Sequence, residues 1–257
     1  MKIGFIGMGN MAFAIVKGLL ESDYLTAEDI FAYDINEEKV RNIHQQFSIN
    51  IGDSLLQTVE AVDIVILAVK PNVIEDIVIE VKQALSKKAI VSIVAGYNYE
   101  IYSTLFINST RHISVMPNTS VMVQKGITLF EKQHSLTNSE FLFVKQMFES
   151  MGLVEIIPSH LMAAACAISG CGPAFMYIIL EALADGGVME GLPREMAYRL
   201  ASQTMVGAGT MQLQTKEHPG ILKDNVCSPG GITIRGVKAL EEASVRSAFI
   251  KAVLKAK

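Results

Sequence analysis

Two glycine-bearing segments, far apart in the chain, carry residue types whose spacing suits anion binding. The first is Gly4-Phe5-Ile6-Gly7-Met8-Gly9-Asn10-Met11-Ala12, a G-x-G-x-x-A pattern between an apolar run and an amphipathic one. That context predicts a strand, a tight turn and a helix. Gly7 permits the turn, Gly9 lets backbone reach a pyrophosphate, and Ala12 keeps the helix close to the sheet. The helix start supplies free N–H groups and positive potential for phosphate, so a nicotinamide dinucleotide is the expected ligand and oxidoreduction the expected chemistry. The second segment is Asn225-Val226-Cys227-Ser228-Pro229-Gly230-Gly231-Ile232-Thr233, directly ahead of a helical pattern. Such a turn exposes a hydroxyl and several N–H groups at a helix N-terminus, a cradle suited to a carboxylate. An ordinary turn and helix cap fits the same residues.

Four further places bear on the dinucleotide. Asp34 ends the second predicted strand, 22 residues beyond Ala12, close to the ~20-residue spacing of the carboxylate that meets the adenosine ribose. An acid there hydrogen-bonds a 2′-hydroxyl and repels a 2′-phosphate, which favours NADH over NADPH; the alternative is a solvated cap for the helix that follows. Ala68-Val69-Lys70-Pro71, Ala95-Gly96 and Met116-Pro117-Asn118-Thr119 end three more strands on the carboxyl edge, where open α/β sheets bind ligands. Lys70 either reaches ribose or phosphate or is a solvated loop lysine. Gly96 admits close backbone approach, and Asn118 can donate to a carboxamide or a substrate.

The elements that must position these residues are legible in the hydropathy pattern. Strands are expected at Lys2–Ile6, Ile30–Asp34, Asp63–Val69, Ala89–Val94 and Arg111–Met116, with Ile127–Glu131 and Leu153–Ile157 completing the sheet. Helices are expected at Asn10–Ser22, Glu37–Gln46, Asn72–Leu85, Tyr99–Phe106 and Thr137–Met151. This is the alternation of βαβ units around a mostly parallel sheet, an α/β Rossmann domain over residues 1–158. Beyond Pro158 β-branched runs nearly vanish, and helical spacing predicts Met162–Gly170, Ala174–Glu190, Pro193–Leu213 and Thr233–Lys257. Residues 159–257 thus form an all-helical second domain. The small residues Ala201, Gly207, Ala208 and Gly209 in its long helix suit close packing against a partner helix.

Composition excludes several classes. The net charge of −4 over 257 residues, with lysines and arginines scattered, offers no basic field for nucleic acid or anionic lipid. The most apolar stretch, Leu161–Leu180, is interrupted by Ser169, Gly170, Cys171, Gly172 and Pro173, short of the ~20 apolar residues of a membrane span, and reads as a buried helix. No signal-peptide pattern opens the sequence. Cys166, Cys171 and Cys227 form no CxxC and read as small buried hydrophobes, which fits a reducing cytoplasm. The five histidines stand apart from one another, and no metal site is expected.

Taken together, the motifs resemble those of the pyrroline-5-carboxylate reductase family over essentially the whole chain. The blocks that carry the resemblance are residues 4–12, 68–71 and 116–119, then Ile168-Ser169-Gly170-Cys171-Gly172-Pro173-Ala174, Glu181-Ala182-Leu183-Ala184-Asp185-Gly186-Gly187-Val188, and His218-Pro219-Gly220 leading into residues 224–231. The resemblance implies reduction of the cyclic imine 1-pyrroline-5-carboxylate to L-proline by hydride from NADPH or NADH. It implies cofactor contacts from Ile6, Gly7, Met8, Gly9, Asn10, Met11, Ala68, Val69, Lys70, Pro71 and Asn225. It assigns the substrate carboxylate to Ser228, Gly230, Gly231 and the amides of Ile232 and Thr233. It also implies a helical homodimer with interleaved C-terminal domains, assembled into larger rings such as a decamer, in which the turn completes a site on the neighbouring subunit. The sequence departs from the family pattern at Ile232, where threonine is frequent, at Cys171, where serine is usual, and at Phe175, where tyrosine is usual. A cofactor-contacting asparagine of some members falls near Leu55 and has no counterpart.

A protonated imine is already electrophilic, so such an enzyme must mainly align the two reactants. Thr233 is the candidate to hydrogen-bond the ring nitrogen and relay its proton; capping the helix is its other role. A hydroxyacid dehydrogenase of similar architecture needs a lysine acid/base on the inter-domain helix, and no lysine lies between Pro158 and Pro193. A cofactor-sensing scaffold on the same fold leaves the second turn without a purpose.

Overall fold

Apolar runs without alternation make the central strands of the first half of the chain. In the computed structural model, which describes all of Met1–Lys257, β1 (Ile3–Ile6), β4 (Ile64–Leu67) and β5 (Ala89–Ser92) are buried along their whole length. Strands covered by helices on both faces require this. With β2 (Ile30–Tyr33), β3 (Asn50–Ile51), β6 (Arg111–Pro117), β7 (Gly126–Glu131) and β8 (Gly152–Ile157) they form one sheet in the order β3-β2-β1-β4-β5-β6-β7-β8. Neighbours run parallel except β6 and β7. Only residues 118–125 join those two, fewer than the dozen or more that a parallel crossover needs.

Helices α1 (Asn10–Glu21), α2 (Glu37–Phe47), α3 (Leu55–Glu60), α4 (Ile74–Leu85), α5 (Tyr99–Leu105), α6 (Asn138–Glu149) and α7 (Met162–Ser169) complete this half. One core joins Ile15 and Leu19 of α1 to Phe130 of β7 and Phe148 of α6. The other gathers Val59 of α3, Val78 of α4 and Tyr102 of α5. The register sets Ile6 beside both Tyr33 and Leu67, so β1, β2 and β4 end level and their connecting turns share one edge.

Two elements here have no periodic signal. β3 is only two residues long, held where Asn50 Nδ2 donates to the carbonyls of Glu28 and Ile30 at 3.0 and 3.1 Å. The six-residue α3 is capped by Ser54, whose Oγ accepts from Gln57 N at 3.2 Å. Contacts divide the chain into Met1–Gly170 and Cys171–Lys257, twelve residues beyond the expected boundary at Pro158. The reason is α7, which packs on β7 and is tied to Asn118, whose Nδ2 donates to Ser169 O at 3.0 Å.

The second unit holds α8 (Gly172–Met189), α9 (Arg194–Thr215), α10 (Pro219–Val226), α11 (Ile232–Glu242) and α12 (Val245–Lys255). α8 and α9 meet at Gly187, where a Cβ would stand 3.5 Å from Ala197 Cβ. The predicted terminal helix is split by Ser244, whose φ of 58° lies in the left-handed region. α10, a short helix behind Pro219, is missed by periodicity.

The expectation of a buried helix over Leu161–Leu180 is corrected. Tyr177 is 62% exposed and Ile178 67%, and within the unit only Ala184, Ala197 and Ala201 are buried. One copy of these five helices supplies no second layer over their apolar side chains. Ser159–Met189, mean hydropathy 1.8, is the one helical run long and apolar enough to cross a bilayer by length and composition. The cysteines also differ from expectation: each is half-buried, and no disulfide joins them.

An ion pair ties β6 to α6. Arg111 reaches Glu140 at 2.9 Å, and Glu140 also closes a capping box with Thr137. Burial alone would raise the Glu140 pKa, but Arg111 and the Thr137 hydrogen bonds hold it below the usual value. A depressed carboxylate stabilises the fold above its unfolded pKa and loses that contribution as pH falls through the folded value. Glu140→Gln, which keeps the capping geometry, should therefore lower Tm at pH 7, and the gap from wild type should close as scans move below the carboxylate range.

Candidate active site

The glycine-rich turn is fixed from both sides. Gly7 N–H donates to Tyr33 O at 2.7 Å, and Ala68 N–H donates to Ile6 O at 2.9 Å. Gly7 has φ +94°, and a Cβ there would stand 2.8 Å from both the Ala68 carbonyl oxygen and a methyl of Val69. The fold itself thus demands glycine at this position. Gly9 is different. Its φ and ψ of −80° and −177° suit any residue, and a Cβ there meets nothing within 4 Å. Gly9 is the N-cap of α1 and makes no side-chain cap, so the first-turn N–H groups, which have no intrahelical partners, are left without a capping side chain. An open, uncapped helix start of this kind fits a pyrophosphate.

A cavity of about 470 Å³ adjoins the turn. Of the residues expected to bind cofactor, Ile6, Gly7, Gly9, Asp34, Ala68, Val69 and Lys70 line it. Asn10 and Met11 lie in the first turn of α1, and Pro71 opens the 3₁₀ turn that leads into α4. The Met8 side chain is buried, and its N–H donates to Asp34 Oδ2 at 2.8 Å. Asp34 is not the cap of α2: that role belongs to Asn36, whose side chain accepts from Lys39 N. The cavity wall also includes Leu55, where some family members carry a cofactor-contacting asparagine, and Tyr33, Lys39, Asn72 and Asp76, which carry no motif. Their signal was position, since each closes a strand or stands in the helical turn that follows one.

Other expected residues are placed differently. Ala95 and Gly96 are exposed in the loop after β5, with Gly96 at φ +83°. That loop is pinned where Ser114 Oγ donates to Tyr97 O at 2.9 Å and Tyr99 N–H donates to Glu131 Oε2 at 2.7 Å. Glu131 is 1% exposed, a buried carboxylate that no sequence motif marked. Asn118 is engaged with backbone at both ends of its amide: its Oδ1 accepts from Ile127 N and its Nδ2 donates to Ser169 O. Its side chain instead joins β7 and α7. No group of three or more His, Cys, Asp and Glu side chains has metal-ligand spacing.

In the second unit, Ser228 O accepts from Gly231 N–H at 3.0 Å, closing the turn before α11. Gly230 lies at φ +70°, and a Cβ on Gly231 would stand 2.4 Å from Ser228 Oγ. Gly231 is the N-cap and makes no side-chain cap, so the N–H groups of the first turn, including those of Ile232 and Thr233, begin the helix without one. Thr233 is the second helical residue, and its expected alternative role as the cap is removed. Asn225 stands on α10 and lines a separate cavity of about 760 Å³ with Gly207, Ala208 and Met211 of α9.

Comparison with known proteins agrees with both halves. Residues 159–257 match the family model for pyrroline-5-carboxylate reductase dimerisation, and residues 2–96 match that for NADP oxidoreductase, coenzyme F420-dependent. The chain is 38% identical to the pyrroline-5-carboxylate reductase of Methanosarcina acetivorans, over 99% of its own length and 95% of that relative's. The chain belongs to the pyrroline-5-carboxylate reductase family. The Arabidopsis thaliana pyrroline-5-carboxylate reductase is 39% identical across 99% of this chain and 92% of its own. Among solved structures, pyrroline carboxylate reductase of Plasmodium falciparum with NADP bound superposes with a TM-score of 0.89 at 31% identity, covering 100% of this chain and 95% of that one.

The two glycines of the turn separate folding from binding. Gly7→Ala should lower Tm and abolish dinucleotide binding together. Gly9→Ala should leave Tm within about 1 °C of wild type while weakening dinucleotide Kd at least ~10-fold, because its methyl enters the space above the α1 start. Differential scanning fluorimetry and calorimetric titration read the two effects.

Proposed function

We propose that this protein reduces 1-pyrroline-5-carboxylate to L-proline with hydride from NAD(P)H. The observation that carries the reading is the uncapped start of α11 behind Ser228-Pro229-Gly230-Gly231, in a chain that also holds a dinucleotide cavity. One feature is ready for a carboxylate and the other for a pyrophosphate. Family membership supports the same pairing.

In this reading the dinucleotide is held by residues 6–11, Asp34, Ala68–Pro71, Ala95, Gly96 and Asn225. Ser228, Gly230, Gly231 and the amides of Ile232 and Thr233 hold the substrate carboxylate. The cofactor supplies a hydride to the imine carbon. The protein's share is alignment, exclusion of water and a hydrogen bond with the ring nitrogen, for which Thr233 is the proposed partner. Asn118 keeps the structural role described above.

The apolar side chains that α8 and α9 leave exposed support a homodimer; a decamer, as the larger assembly, rests on the family resemblance alone. A cytoplasmic location suits three cysteines without a disulfide. Sedimentation should then give a multiple of the chain mass at every concentration at which the enzyme is active.

The direct test is loss of absorbance at 340 nm when pyrroline-5-carboxylate is added to enzyme and reduced cofactor. Thr233→Ala should lower kcat/KM ~10²-fold, corresponding to about 2.7 kcal/mol of transition-state stabilisation, with dinucleotide binding unchanged. An unaltered kcat/KM removes Thr233 from the reaction.

A further inference from the structure

The ribose end of the dinucleotide cavity is built around one carboxylate. Asp34 follows β2, and its side chain is 11% exposed. Oδ2 accepts from Met8 N–H at 2.8 Å and Oδ1 accepts from Asn36 N–H at 2.8 Å. The two backbone donors at this end of the cavity, one from the glycine-rich turn and one from the start of α2, are thus already engaged by an internal anion. Each carboxylate oxygen keeps a second acceptor position, which suits the hydrogen of a ribose hydroxyl.

A 2′-phosphate meets the opposite conditions. It is an acceptor, it carries up to two negative charges, and the neighbouring N–H groups of Met8 and Asn36 are occupied. Lodging it here requires either placing it against the Asp34 carboxylate or breaking both hydrogen bonds to displace that side chain. The surroundings do not reverse the balance. The cavity is lined by the carboxylates of Asp34, Asp76 and Glu80 against the ammonium groups of Lys39 and Lys70. Lys39 Nζ already lies 3.9 Å from Asp34 Oδ2.

We propose that Asp34, fixed by the N–H groups of Met8 and Asn36, makes this chain prefer NADH to NADPH. The inference rests on the dinucleotide reading of the cavity, and it assigns this protein the cofactor without the 2′-phosphate, although a relative is known with NADP bound. Asp34 thereby does two things: it braces the glycine-rich turn against the start of α2, and it selects the ligand.

Calorimetric titration of the full-length protein with NADH and with NADPH, at one fixed ionic strength and without substrate, tests this apart from catalysis. Wild type should bind NADH at least ~10-fold more tightly. Asp34→Asn, which removes charge but keeps an acceptor, should narrow the ratio. Asp34→Ser, which frees both N–H groups, should tighten NADPH binding ~10-fold or more and weaken NADH binding. Wild-type binding of NADPH as tight as that of NADH overturns the proposal, whatever the variants do, and so does failure to bind either. Preferred binding of NADH with no reduction of pyrroline-5-carboxylate supports the proposal and overturns the reductase reading instead.

Discussion

Backbone at Gly7 turns so close to the end of β4 that no side chain fits between them, and the N-terminal site depends on that approach. The turn brings the start of α1 over the carboxyl edge of the sheet, beside Ala68 and Val69. β1, β2 and β4 end in register, so the three connections that leave them share one cavity wall. A wider turn would carry the unsatisfied N–H groups of α1 away from that wall, and the fold would survive as a sheet without a phosphate site. Gly7 and Gly9 serve the two requirements separately: one lets the chain close, the other leaves room for what binds.

Asp34 couples the same turn to the rest of the sheet edge. A part-buried carboxylate that accepts two N–H bonds is well placed to brace backbone, because charge-assisted hydrogen bonds are short and strong. Glu131 does comparable work for the loop after β5, and Asn118 for the junction of β7 with α7. All three polar side chains sit near the ligand edge, and all three are engaged with backbone. The site is therefore shaped as much by side chains that hold loops as by residues that face a ligand.

The C-terminal unit follows a different logic. Its helices carry Tyr177, Ile178, Leu200 and Leu213 exposed in a single chain, more apolar surface than a monomeric helical unit normally leaves to water. Gly187 of α8 comes close to Ala197 of α9, whereas Gly207 and Gly209 of α9 face open space, and only three alanines in the unit are buried. Membership of a family whose C-terminal model is a dimerisation region gives that surface its physical explanation. In a single chain α8 is apolar yet largely exposed, so its hydropathy and its burial disagree.

The sequence alone determined the strand–turn–helix at residues 3–21, the central strands and the helical character of everything beyond Pro158. Each rests on local chemistry: glycine where φ is positive, unbroken apolar runs where two faces are covered, and helical spacing where strands vanish. Motif order also sufficed to recognise the family. Only tertiary structure decided that Asp34 engages Met8 rather than capping α2, that Asn118 faces backbone rather than ligand, and that Thr233 lies inside α11 rather than at its cap. It alone revealed the two-residue β3, the short α3 and α10, and the reversal at β7. These outcomes depend on partners far apart in the chain, or on segments too short for a period, and the competition of a polar side chain between solvent, ligand and distant backbone is settled only when the fold brings the competitors together.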